Sequence, residues 1–459
     1  VKEKLSKGGF SFYNTAFLSN GKNNIDGDYF EELDFGSLIK DLPDESESNE
    51  RHYINKEDQE LTEDSNEVEL PWVGAMLFVN CVFEVPVRFS DIETLGAIEI
   101  VNCQFNKECT FENLICSNEL NVFESTFNES VRINSCEIRF GGSFRNVIVN
   151  KNFLVNEEQY VIKSTRIEEL FTFYCDIRGR ATFNNVEFDI VDFSKSIFLN
   201  TNQLYFSNCN FKTLGLFTNL NLGKNVIFAN INLTDCSFIH SIFEDTLFSG
   251  CKFNLNNLVD IRMAKNEKID ERFQEMNEQL GEISWIKKKI PNFDDVYLIL
   301  RMLEINFDKH KDYDMAGEFY KKRLELQRGN DPNILRKSLL TLYKWFSSYG
   351  ENYLKPIVWA VIFIAIFTAV YLVSGVIFVN SEGEKTLVSF LHSKYRYNFF
   401  DDLGCAFLYS LNSSTPFRQI LEFVKPANGL TNLLSMVQTL LQSSLLALFL
   451  VALNRKFKR

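Results

Sequence analysis

The sequence predicts a multidomain chain: a narrow β-solenoid, an α-helical connector, and an all-α unit with two transmembrane spans and a pore loop. Three observations predict it: a large apolar residue recurring every five positions, a later switch to helical periodicity, and two long uncharged apolar runs near the end. Residues 1–75 form an N-terminal segment, 76–260 the solenoid, 261–350 the connector and 351–459 the membrane unit.

Phenylalanine supplies 45 of the 459 residues, and most of it lies between 78 and 260. Phe228, Leu233, Phe238, Phe243, Phe248, Phe253 and Leu258 follow one another at steps of five, as do Phe183, Phe188, Phe193 and Phe198. Two residues before many of them stands a small or apolar side chain: Ala181, Val186, Val191, Ser196, Cys236, Ser241, Thr246, Cys251. The couple recurs as Cys81/Phe83, Cys103/Phe105 and Cys209/Phe211. A period of five fits neither a helix at 3.6 nor a strand at 2. It fits a solenoid in which each five-residue side turns a corner, the large residue fills the centre and the small one packs beside it. Such repeats bury a core only by stacking. The register is strict over 181–258 and looser over 76–180, where Asn156–Leu170 interrupts it.

These couples resemble the pentapeptide-repeat family. The resemblance implies a right-handed quadrilateral β-helix, a rigid rod whose faces can dock a partner protein. Phosphate-cradling, nucleophile-elbow and HExxH motifs are missing from the sequence, so an enzyme is not expected. No CxxC occurs and the four histidines are far apart, so neither a metal nor a cofactor is expected. Cys81, Cys103, Cys209, Cys236 and Cys251 are expected to be reduced, buried residues. No basic stripe offers itself to nucleic acid. Residues 41–70 hold 12 Asp/Glu against 2 Lys/Arg, the composition of a solvated, disordered linker.

From about Asp260 the pattern becomes helical. Ile269–Lys289, Asp294–Lys309, Asp312–Arg328 and Pro332–Tyr349 are predicted helices, broken at Pro291 and at Gly329-Asn330. The middle two look like a single tetratricopeptide-type pair and read as a collar packed against its neighbours.

Pro356–Val379 and Leu430–Leu453 are each 24 residues without charge, long enough to cross a bilayer as helices. Between them, Tyr397–Phe417 is too short and polar to span. It predicts a re-entrant half-helix, Phe399–Leu411, with Asp401 and Asp402 at its favourable N-terminal end. A loop of Asn412, Ser413, Ser414, Thr415, Pro416 and Phe417 then offers carbonyls and hydroxyls to ions. Thr431, Ser435, Gln438 and Gln442 form one polar face of the second span. Glutamine is costly in lipid, so this face is predicted to line a wet axis.

Arg336, Lys337, Lys344 and Lys355 precede the first span, and Arg455, Lys456, Lys458 and Arg459 follow the second. Basic residues mark the cytoplasmic side, and no stretch near residue 1 reads as a signal peptide, so both termini are expected in the cytoplasm. Phe400–Pro416 resembles the pore region of two-transmembrane ion channels related to potassium channels, but lacks their Gly-Tyr-Gly filter. With Ser348–Pro356 (SYGENYLKP), the combination resembles bacterial pentapeptide-repeat proteins that carry a C-terminal ion-channel domain. The resemblance implies a homo-oligomer, most simply a tetramer, in the bacterial inner membrane. It would pass inorganic ions, cations without strict potassium selectivity, under control of the cytoplasmic solenoid, and would suit a stress or phage-defence effector. The alternative is a membrane-anchored scaffold that docks a partner.

Overall fold

The computed structural model describes residues 10–13, 16–17, 33–35, 72–156, 164–198, 203–222, 225–243, 245–264, 292–379, 385–389, 399–414 and 423–457. The acidic tract 41–70, the predicted helix Ile269–Lys289 and the loop residues Thr415, Pro416 and Phe417 lie outside them. The chain divides into two compact units, Val1–His310 and Lys311–Arg459.

The first unit is a β-solenoid of about seven turns. Its strands are short and pair in parallel with the equivalent strand one coil on, as in Met76↔Ile98, Ile98↔Leu120 and Leu120↔Gly142. Parallel strands lie about 4.7–4.9 Å apart, and stacked rings repeat at nearly that distance. Phe83, Phe105 and Phe127 form one column with centroids 4.4 and 4.5 Å apart. Phe183, Phe206, Phe228 and Phe248 form another, at 4.8, 5.0 and 5.4 Å. Neighbouring columns meet edge-on, as Phe206 and Phe217 do at 5.4 Å and 89°. The geometry suits the ring quadrupole as well as the burial of apolar area.

The small inward residue has a second task. At a corner a backbone N–H loses its carbonyl partner, and the side chain below replaces it. Cys81 N donates to Cys103 Sγ, Cys103 N to Ser125 Oγ, and Leu220 N to Ser241 Oγ. A thiol or hydroxyl at this position therefore satisfies a buried donor that a purely apolar residue would strand.

The coil is longer than four five-residue sides. Hydrogen bonds between equivalent positions advance by 22 residues over most of the solenoid and by 20 only near its end. The difference lies in residues with positive φ, which recur at Asn80, Asp91, Asn102, Asn113, Glu124, Ser135 and Asn146, eleven apart. Each half-coil is thus two five-residue sides plus one left-handed residue, and asparagine predominates there because it tolerates that conformation. This explains why the five-residue register slips over 76–180.

Two boundaries differ from the sequence prediction. The solenoid begins before residue 76: Phe10–Tyr13 pairs with Met76–Val79, Leu33–Asp34 pairs with Val87–Arg88, and Phe35 stacks on Phe89. The interruption at 156–170 is carried as a longer coil, 29 residues, whose base is pinned by Asn156. Its Oδ1 accepts from Ser135 N and Thr165 Oγ1, and its Nδ2 donates to Asn185 O.

At the other end, α1 (Val259–Ala264) and α2 (Phe293–Lys309) belong to the solenoid unit. Asn292 and Asp295 form a capping box at the start of α2. Asn306 Nδ2 donates to the carbonyls of Phe243 and Thr246, and Phe307 packs on Phe248 and Phe253. The connector is therefore not one collar, since its first described long helix closes the solenoid core. Phe238, Phe243 and Phe248 are buried as the repeat predicts, whereas Phe253 and Cys251 are only partly so, because the last coil has no further coil above it.

All ten cysteines are free. Burial pushes the thiols of Cys136 and Cys209 up to about 12, so they stay protonated and unreactive at neutral pH.

The second unit holds α3 (Tyr313–Asn330), α4 (Ile334–Ser347), α5 (Leu354–Ser374), α6 (Phe399–Ser414) and α7 (Gly429–Phe457). Helix α5 stops earlier than the apolar run does. Gly375 takes φ 89°, and Val376–Val379 turns into a strand paired antiparallel with Lys385–Val388 and Val424–Pro426. β-Branched residues after a glycine favour that change. Both α5 and α7 are long and apolar enough to cross a membrane.

Candidate functional site

The candidate site is the packing of the short helix α6 against α5 and α7. The 16 residues of α6 span about 24 Å at 1.5 Å per residue, short of the ~30 Å hydrocarbon core. Its buried side packs Ala406 and Tyr409 with Phe367 and Tyr371 of α5 and with Val376 and Val424 of the small sheet. Asp401 and Asp402 stand in its first turn.

The ends of the two long helices are tied together beside that sheet. Asn428 Oδ1 accepts from Thr431 N and caps α7, while Asn428 Nδ2 donates to Ser374 O. Thr431 Oγ1 lies 3.2 and 3.1 Å from the carbonyls of Ser374 and Gly375. These are the terminal carbonyls that a helix end leaves unpaired.

Farther along α7, Gln438 is the centre of a buried polar knot. Its Nε2 lies 2.9 Å from Ser410 Oγ, 2.9 Å from Ser414 Oγ and 3.0 Å from Ser410 O. Its Oε1 accepts from Tyr371 OH at 2.7 Å. Ser410 Oγ donates in turn to Ile364 O, and Thr439 Oγ1 to Ser413 O. One turn on, Gln442 Nε2 donates to Ala360 O at 3.0 Å. Every helix of the group contributes: α6 is bonded by side chains of α7 and through Ser410 to a backbone carbonyl of α5.

This arrangement gives the polar face partners within the chain. Thr431, Ser435, Gln438 and Gln442 are 0, 3, 0 and 6 % exposed in the single chain. Within the single chain each of them is covered by protein. The same cost of a polar group in lipid that pointed to water is met here by partners within the chain. Tyr371 and Ser410, which complete the knot, are missed by sequence reasoning. A tyrosine inside an apolar run and a serine one turn before the expected loop were their only signals.

The loop prediction also shifts. Asn412, Ser413 and Ser414 form the last turn of α6 rather than extended backbone, and Asn412 and Ser413 are buried. Thr415, Pro416 and Phe417 lie outside the described residues. Ser414 Oγ donates to Ser410 O, which turns its hydroxyl back along the helix.

At the opposite end of α7, Arg455 fixes the helix to its neighbours. Its Nη1 donates to Tyr349 O and to Glu351 Oε1, both at 3.2 Å, and its guanidinium lies 4.3 Å from the centre of the Tyr320 ring. Glu351 belongs to the turn between α4 and α5, in which Ser348, Tyr349 and Gly350 all take positive φ. The described residues contain no group of three or more His, Cys, Asp or Glu placed to hold a metal ion. No protein-family profile, curated protein or solved structure matches the chain.

Proposed function

We propose that the chain is an oligomeric ion channel of a bacterial inner membrane, with its solenoid in the cytoplasm as the controlling domain. On this reading the solenoid is a right-handed quadrilateral pentapeptide-repeat β-helix, α5 and α7 span the bilayer, and α6 is a re-entrant pore helix. The observation that carries the proposal is the pinning of α6. A helix too short to cross is hydrogen-bonded by Gln438 and Thr439 and packed at Tyr409 by the Tyr371 ring, all from helices long enough to do so. A simple tether has no need of it. Irregular backbone at membrane depth is tolerated where it is buried in protein or lines water, and the residues after Ser414 would meet that condition at an axis between subunits. The negative end of the α6 dipole would face cations there. With no stacked Gly-Tyr-Gly carbonyls, strict potassium selectivity is not expected.

The second reading is a membrane-anchored scaffold. It is favoured by the polar face of α7 being satisfied within one chain. The mass of the detergent-solubilised full chain separates the two. A tetramer whose cation flux in liposomes changes its potassium-to-sodium ratio on Thr415→Ala supports the channel. A monomer or dimer that passes no ions supports the scaffold and removes the channel.

A further inference from the structure

Helix α4 is built the wrong way out for a helix that packs in a soluble collar. Ile334, Leu335, Leu339, Leu342, Trp345 and Phe346 fall on one arc at helical spacing. Of these, Leu335 is 76 %, Leu339 66 % and Trp345 61 % exposed. The side held against the rest of the unit is a different one, carrying Leu340, Tyr343, Lys344 and Ser347: Lys344 Nζ donates to Glu325 Oε1 of α3 at 2.6 Å, and Ser347 is fully buried. The helix thus leaves most of its apolar arc without partners among the described residues, and the charges beside that arc, Arg336 and Lys337, are exposed with it.

What the arc faces is indicated by what adjoins it. Trp359 Nε1 of α5 donates to Trp345 O at 3.2 Å, and Phe346 lies 5.3 Å from the Trp359 ring and 6.0 Å from Phe363. The arc therefore runs without a break into the outer face of α5, where Val358 and Val361 are also exposed. Exposed Arg336 and Lys337 flank it, and Lys355 opens α5 beside it. Tryptophan with basic residues is the composition of a helix lying in a membrane interface.

We propose that α4 lies in the headgroup boundary of the bilayer leaflet that receives the basic ends of α5 and α7, its apolar arc among acyl chains and its basic residues on anionic phospholipid. The inference rests on the reading that α5 spans. It makes α4 a lipid-bound joint between the membrane helices and the helix α3 that precedes it.

The test places a nitroxide label, one at a time, at Leu339, Leu342, Lys337 and Ile362 of the full chain. The protein is reconstituted in vesicles of phosphatidylcholine with and without phosphatidylglycerol, and the unsubstituted protein supplies the background from native thiols. Collision with oxygen, which concentrates in lipid, is compared with collision with a water-soluble nickel chelate. The expected result is a severalfold higher oxygen-to-nickel ratio at Leu339 and Leu342 than at Lys337. The Leu339 ratio should rise further when phosphatidylglycerol is present. Leu339 and Leu342 reading as aqueous while Ile362 reads as lipid would overturn the interfacial placement and leave the span intact. Aqueous values at Ile362 as well would sink the spanning reading itself, and this inference with it. Strong spin–spin broadening at Leu339 would show instead that a second copy covers the arc.

Discussion

In the solenoid the fully buried large residues are rings such as Phe105, Phe127 and Phe144, and the charges, Arg88 with Glu112 or Arg132 with Glu108, lie outside. In the second unit the outside carries Leu440, Val361 and Leu433, while Gln438, Ser410 and Thr431 are fully buried. The same side-chain chemistry is distributed in opposite senses. A solenoid in water gains by removing apolar area from solvent. On the proposed reading the helix group lies in lipid and would gain nothing that way, since lipid tails are as apolar as leucine, and would be held by packing and interhelical hydrogen bonds. The two regions should therefore fail differently when their interiors are altered.

The largest effect is expected in the ring columns. Phe206 is wholly buried and contacts rings above, below and beside it. Phe206→Ala should cost about 3–5 kcal/mol, as for other large core truncations, read by denaturant unfolding followed through the β-sheet circular dichroism signal. A loss below about 1 kcal/mol would mean that the columns are loosely packed and the contrast overstated.

A second test uses one of the exceptions to the dry interior, which include Asp192 and Asp260. The Asp260 carboxyl is buried at the end of the solenoid, where burial raises its pKa from 3.8 to about 6. The folded state thus holds this proton more tightly than the unfolded chain. Its contribution is fully present below the unfolded value and is lost as pH rises through about 6. The loss is up to about 3 kcal/mol by neutral pH. Asp260→Asn should flatten this part of the stability–pH curve and raise stability at pH ~7. An unchanged curve would place the carboxyl in solvent.

The smallest effect is expected in the polar knot. Gln438→Leu removes the partner of Tyr371 OH and Ser410 Oγ, and should cost about 1–2 kcal/mol in detergent unfolding, the usual worth of an interhelical hydrogen bond in membranes. Leu440→Ala on the exposed side of the same helix is expected to cost less. Equal losses would indicate that α7 is held by apolar packing on all sides, as a soluble helix would be.

Much of this was legible in the residues. The five-residue couples located the solenoid, and the uncharged runs located α5 and α7 to within a few residues. The eleven-residue recurrence was not read from the sequence, because its positions, among them Asn80, Asp91, Glu124 and Ser135, share a positive φ and not one residue type. The polar face of α7 was read as a face, and the partners it has within the chain, Tyr371, Ser410 and Ala360, were not read from it. Periodicity shows which residues lie together and is silent on what lies opposite.

The sequence by itself determined that large residues recur at every fifth position, that two helices are long and apolar enough to cross a membrane, and that a shorter one stands between them. These are consequences of local spacing and hydropathy. Tertiary structure alone decided that residues 10–13, 16–17 and 33–35 join the solenoid, and that α2 closes it. It also decided that Gln438 meets Ser410 and Tyr371, and that α4 turns its apolar arc outward. Each depends on which surface comes to lie against which, a choice set by partners distant in sequence that no local pattern encodes.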